Sequence, residues 1–113
     1  MNLRLCALAL ALALGTQTAR ATPDPIKVAR TTVEKYVYEA FVQWSATHPD
    51  KACPAKIDEL YEYVGKDQRI DPWGHAYRMS CGANLPKGVR LIAVASSGPD
   101  GKPDTDDDVR ADM

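Results

Sequence analysis

The sequence predicts an α+β domain: a long N-terminal helix and a short second helix packed on a small antiparallel β-sheet, followed by an acidic C-terminal loop. Three observations predict it. Apolar residues recur at three- and four-residue steps from Ile26 to Trp44, and again from Ile57 to Val64, as on a helix with one buried face. From Tyr77 onward the apolar period falls to two, that of a half-buried strand. Near the C-terminus Asp100, Asp104, Asp106, Asp107 and Asp108 crowd together among Gly and Pro.

The chain of 113 residues opens with a segment that reads as a targeting leader and is not expected to belong to the fold. Met1 to Arg4 are short and basic, and Leu5 to Leu14 are almost wholly Leu and Ala. Gly15 breaks the run, and Ala19-Arg20-Ala21 places small residues at the two positions that a signal peptidase reads. Residues 1–21 are expected to be a cleaved signal peptide, with Thr22 opening a domain over residues 22–113. The apolar run is shorter than the roughly 20 residues that a bilayer requires, so no span is expected after cleavage. Cys6 sits inside that run, unlike a lipid-attachment cysteine. The expected destination is the periplasm or the medium.

The remaining length, about 90 residues, suffices for one modest core but not for two. A formal net charge of −1 and the lack of a basic stripe speak against a nucleic-acid partner. Loss of the leader leaves Cys53 and Cys81, an even number in a chain bound for an oxidising compartment, so a disulfide between them is expected. Closing a loop of about 29 residues stabilises a fold by roughly 3.5 kcal/mol in the chain-entropy description. Two separate buried thiols are the alternative. A zinc site is disfavoured because Cys53, Cys81, His48 and His75 show no tight ligand spacing.

The elements follow in order. Asp24 before Pro25 is a helix start, a capping side chain followed by a residue suited to the first helical position. The apolar stripe Ile26, Ala29, Val33, Val37, Ala40 and Trp44 runs behind it, with Lys35 and Glu39 spaced to pair on the wet side. Pro49 disfavours helical geometry at His48, so the helix should end near Ala46. Pro54 is expected to open the second helix, with Ile57, Leu60, Tyr61 and Val64 inward and Gly65 ending it. Tyr77, Met79 and Cys81 alternate with Arg78 and Ser80 as one strand. Val89 to Ala95 is a second, apolar on both faces and therefore covered.

The stretch Ser96 to Val109 carries the chemistry. Calcium is a hard cation that takes six to eight oxygen ligands, and a loop turning at Gly98, Gly101 and Pro103 brings Asp100 back toward the later aspartates. The EF-hand template does not apply. Counted from Asp100, its sixth and twelfth positions fall on Thr105 and Ala111 rather than Gly and Glu. Composition alone therefore leaves two readings open, a cation site and a solvated acidic tail.

Three segments resemble a known family: Leu60-Tyr61-Glu62-Tyr63-Val64-Gly65, then Asp71-Pro72-Trp73-Gly74-His75-Ala76-Tyr77, then Ser96-Ser97-Gly98-Pro99-Asp100-Gly101 with Asp107-Asp108-Val109 downstream. In this order they resemble the globular domain of the major pseudopilin of type II secretion, over most of the chain after the leader. The resemblance implies one calcium ion in the C-terminal loop. Carboxylates would come from Asp100, Asp107 and Asp108, a backbone carbonyl from Ser97, and a further carbonyl from near Val109 or Arg110. Asp104 and Asp106 fall in the variable part of that loop and are expected to face water. The family's leader and long retained anchor helix are replaced here by a conventional signal peptide. The expectation is a soluble version of the head, with pseudopilins or other secretion-machine proteins as its partners.

Catalysis finds no support in the motifs. Ser96 and Ser97 lack the Gly-x-Ser-x-Gly context of a nucleophile elbow, and no phosphate-cradling glycine loop is present. His48 precedes Pro49 in a helix-ending loop, and His75 sits in the Trp-Gly turn, where Trp73 is expected to plug the core. The expectation is a non-enzymatic calcium-binding domain, either an accessory of a secretion or pilus-like machine or a free-standing secreted domain in which the ion serves stability.

Overall fold

A computed structural model describes residues 23–82, 85–86 and 88–113. The expected signal peptide and its cleavage point lie outside the described residues. The fold is α+β: a helical rod of 23 residues, two short 3-10 turns and a three-stranded antiparallel sheet.

The rod comprises α1 (Pro25–Lys35), a π-turn (Tyr36–Ala40) and α2 (Phe41–Thr47). Asp24 caps it, its side chain accepting from the Ile26 N–H at 3.0 Å, with Pro25 in the first turn. The π-turn has a reading in the sequence. Ala29, Val33, Val37 and Phe41 are all buried at successive steps of four. In a plain α-helix each such step creeps about 40° around the axis. A wider turn absorbs the drift, and Tyr36, Val37, Ala40, Phe41 and Trp44 all stay inside. Two expectations change. Ile26 is exposed, because burial starts one turn later at Ala29. Lys35 and Glu39 are not among the ion pairs formed, Glu39 lying within the wider turn. The rod ends at Thr47, with His48 in a non-helical conformation before Pro49.

The second helix is a 3-10 turn, Ile57–Tyr63, not an α-helix starting at Pro54. At three residues per turn Ile57, Leu60 and Tyr63 share a side, and Leu60 is fully buried there. Its start is held by Glu59, whose carboxyl accepts from the N–H groups of Ala55 (2.5 Å) and Lys56 (3.3 Å). Those bonds, the Ala55 one first, hold the Glu59 carboxyl below its usual 4.5. The buried indole N–H of Trp44 lowers it further, though it falls short of hydrogen-bond geometry. Gly65 does not serve as a left-handed stop. Its φ is −69°, and it leads into the second 3-10 turn, Lys66–Gln68, where the Gln68 side chain accepts from its N–H.

The sheet has the order β1 (Arg78–Cys81), β2 (Ile92–Ser96), β3 (Val109–Asp112). β2 is central and buried throughout, as two apolar faces require. Register sets Arg78 opposite Ala95, Cys81 opposite Ile92, and Val109 opposite Ser96. β3 is absent from the sequence reading, which gave Val109 and Arg110 to the loop. It alternates buried Val109 and Ala111 with exposed Arg110 and Asp112, a signal only four residues long. Cys53 and Cys81 form the disulfide, tying the segment before the first 3-10 turn to the end of β1. The rod packs on β2 and β3, and Tyr36, Trp44, Leu60, Ile92 and Val94 form the centre of the core.

Glu59 gives a pH-dependent prediction. A depressed carboxyl pKa stabilises the fold fully above the unfolded value, and this contribution is lost as pH falls through the folded value. Glu59→Gln keeps the acceptor and removes the charge. Its melting temperature should lie below wild type at neutral pH, and the gap should close as pH falls below 4.5. Thermal melts of both proteins across pH 3 to 7 check this.

Candidate metal centre

Two turns meet at the end of β2. The first runs from Asp71 to His75. The Asp71 N–H donates to the His75 carbonyl at 2.7 Å, and Gly74 takes φ +90° to make the reversal. Asp71 is buried, and its Oδ1 accepts from the N–H groups of Trp73 (3.0 Å) and His75 (2.9 Å). Its Oδ2 accepts from the Ser96 hydroxyl at 2.7 Å, and Ser96 Oγ in turn accepts from the Gly98 N–H at 3.0 Å. One carboxyl group thus joins the Asp-Pro-Trp-Gly turn to the last residue of β2 and, through it, to the acidic loop. Trp73 packs at the margin of the core, as expected of a plug.

The second turn starts the loop. The Gly101 N–H donates to the Gly98 carbonyl at 3.1 Å, with both glycines at positive φ. A side chain is excluded at Gly98 by backbone, and at Gly101 it would be strained and would displace the His75 ring. A Cβ on Gly98 would overlap the Asp107 carbonyl, and one on Gly101 would lie 2.8 Å from Cε1 of His75. The close approach at Gly98 is what brings the start of the loop against its end.

The carboxylates then converge. Asp107 Oδ2 accepts from the Asp100 N–H at 3.0 Å and its Oδ1 from the Thr105 hydroxyl at 2.6 Å. Asp108 Oδ2 accepts from the Asp104 N–H at 2.8 Å, and Thr105 Oγ lies 3.2 Å from its Oδ1. Asp100 Oδ1 accepts from the Lys102 N–H at 2.9 Å. The Thr105 hydroxyl, and then the Asp100 N–H, hold the Asp107 carboxyl below its ordinary range. One oxygen from each of Asp100, Asp107 and Asp108 lies within 4.8 Å of the other two. A donor set of carboxylate oxygens suits a hard cation such as calcium or magnesium, not the thiol and imidazole preference of zinc.

A cationic side chain reaches the same place. Arg78, at the start of β1, donates from Nη2 to Asp108 Oδ2 at 2.8 Å and from Nε to Ser97 Oγ at 3.0 Å. Its Nη1 lies 3.9 Å from Asp104 Oδ1. Arg110, facing outward on β3, stands 3.3 Å from Asp104 and 3.7 Å from Asp108.

Of the four residues expected at the site, Asp100, Asp107 and Asp108 are brought together. Ser97 lies buried at the foot of the loop with its hydroxyl engaged by Arg78. Val109 and Arg110, near one of which a further carbonyl was expected, open β3, where the register pairs them with Ser96 and Ala95. Asp106 is exposed, whereas Asp104 is exposed but paired with Arg110 and adopts φ 61°, which Asp tolerates. Sequence reasoning missed Arg78, Thr105 and the buried role of Asp71. Arg78 is the first residue of β1, and antiparallel pairing sets it beside the end of β2, where the loop begins. His48 stacks on Trp44 and bonds its carbonyl through Nδ1, closing the helix end. No family model matches the chain, and neither a curated protein nor a solved structure does.

The Asp71 carboxyl is expected to govern both turns. Asp71→Ala strands three donors and should lower unfolding free energy by roughly 2–4 kcal/mol. Asp71→Asn, which keeps one acceptor for the two N–H groups, should cost clearly less. Urea denaturation of the two variants measures the difference.

Proposed function

We propose that this chain is an exported, non-enzymatic domain that holds one calcium ion in its C-terminal loop. It is built like the head of the major pseudopilin and serves as a soluble accessory of a secretion or pilus-like machine. The observation that carries the calcium reading is the convergence of Asp100, Asp107 and Asp108 from opposite ends of the loop. Such carboxylates repel one another, and a divalent cation between them removes that repulsion. Asp107 and Asp108 would supply oxygens from the end of the loop and Asp100 from its first turn, with the Ser97 carbonyl at the foot. The ion contributes charge neutralisation and a fixed path between β2 and β3. Ligand present at about 100 times its Kd adds roughly 2.7 kcal/mol, which matters to a domain this small.

The machine-accessory reading is supported by the order of the three resembling segments. The disulfide fits an oxidising compartment. Its partner is proposed to be a pseudopilin or another secretion-machine protein.

Calorimetric titration of chelator-treated protein with calcium should give a stoichiometry near one, with a melting temperature that rises with calcium. The Asp107→Asn, Asp108→Asn double variant should lose both effects. Absence of heat and of any thermal shift at millimolar calcium in the wild type would return the loop to a solvated acidic segment. For the partner, the calcium-saturated domain used as bait in periplasmic extract is expected to retain a pseudopilin or secretion-machine component. Recovery of none would favour a free-standing domain stabilised by calcium and its disulfide.

A further inference from the structure

The guanidinium of Arg78 is paired with one of the three carboxylates that a cation would use, Asp108. Asp108 is the most enclosed of the three carboxylates, its side chain only 2 % exposed. Its Oδ2 already takes two donors, the Asp104 N–H and Arg78 Nη2, and its Oδ1 is approached by the Thr105 hydroxyl. An ion that binds Asp108 through Oδ2 therefore needs one of that oxygen's two donors to withdraw. The Asp104 amide and the Thr105 hydroxyl belong to the loop itself and are neutral. Arg78 comes from β1, carries the charge that opposes a second cation, and has somewhere to go. It is 35 % exposed, and Asp104, 77 % exposed, already stands 3.9 Å from its Nη1.

Resting on the calcium reading above, we propose that Arg78 is the resident counter-cation of the loop and that calcium competes with it for Asp108. Without metal, the guanidinium bridges Asp108 and the Ser97 hydroxyl and keeps the loop closed on β1. With metal, Arg78 leaves Asp108 and turns toward Asp104 at the surface. The exchange moves a charged pair from an enclosed carboxylate to an exposed one, so the loop stays closed in both states while its calcium affinity is set low. Arg110 stands 3.7 Å from Asp108 and 3.3 Å from Asp104, so it adds positive charge beside both carboxylates, but it makes no hydrogen bond to Asp108 that an ion would have to displace.

The test is a calcium titration of the wild type, Arg78→Gln and Arg78→Met, with melting temperatures recorded in chelator. Both variants should melt below wild type in chelator and bind calcium at least about tenfold more tightly, since a unit charge a few ångströms from the ion is gone. Wild-type binding with unchanged or weaker binding in both variants overturns the competition and leaves the calcium reading standing. Binding in the variants but not in the wild type supports the competition and refutes calcium occupancy of the native chain. Binding in none of the three overturns both. If neither variant folds, the wild type still decides. The Arg78 Nε–H resonance should shift and lose solvent protection as calcium saturates the protein, and a resonance unmoved at saturation overturns the proposal.

Discussion

The buried hydrogen bond from Ser96 to Asp71 fixes where the central strand ends, and much of the C-terminal half depends on that point. Ser96 is fully buried, so its hydroxyl needs both a partner to receive its proton and a donor to its oxygen. Asp71 is the first and the Gly98 N–H the second. The same carboxyl closes the Asp-Pro-Trp-Gly turn from inside by taking two backbone N–H groups. Two turns distant in sequence are thereby held in one network, whose members gain strength from the low dielectric around them. The positive φ of Gly98 then follows, because the chain must leave Ser96 sharply enough to meet the returning Asp107 backbone.

Five aspartates in so short a loop would be expected to hold it open by repulsion, yet the loop is closed. Each inward carboxylate is met by a donor before it meets another carboxylate. Backbone N–H groups of Asp100, Lys102 and Asp104 face acidic oxygens, the Thr105 hydroxyl lies between two of them, and Arg78 faces the most enclosed. Local Asx-type bonds of this kind are what make Asp a turn residue. They also leave one oxygen from each of Asp100, Asp107 and Asp108 within 4.8 Å of one another.

Legibility in the sequence followed the physics of each signal. The rod was readable from its cap, its stripe and Pro49, because these act locally and redundantly. The π-turn was foreshadowed by the steps of four but needed the packed sheet to make the drift costly. The 3-10 character of Ile57–Tyr63 was hidden, since Ile57 and Leu60 fit a period of three as well as one of 3.6. β3 was masked by its acidic neighbours and its brevity. At the candidate site the carboxylates were visible because five aspartates crowd into one short stretch beside turn residues. Arg78 and Asp71 were not seen in their roles, because those roles depend on long-range register: Arg78 reaches Asp108 only once β1 pairs with β2.

The edge strand β1 explains why such a small sheet needs these attachments. None of its four residues is fully buried, so apolar contact alone holds it weakly. It is fixed instead at its two ends. Cys81 ties the last residue covalently to Cys53, while Arg78 ties the first to Ser97 and Asp108. Between these points the ladder to β2 keeps its register from Arg78–Ala95 to Cys81–Ile92. The two anchors differ in kind. The disulfide is indifferent to the ionic surroundings, whereas the arginine anchor is a part-exposed ion pair that salt screens. An edge strand held in this way keeps its place at both ends by attachments that lie outside its own ladder, one covalent and one ionic.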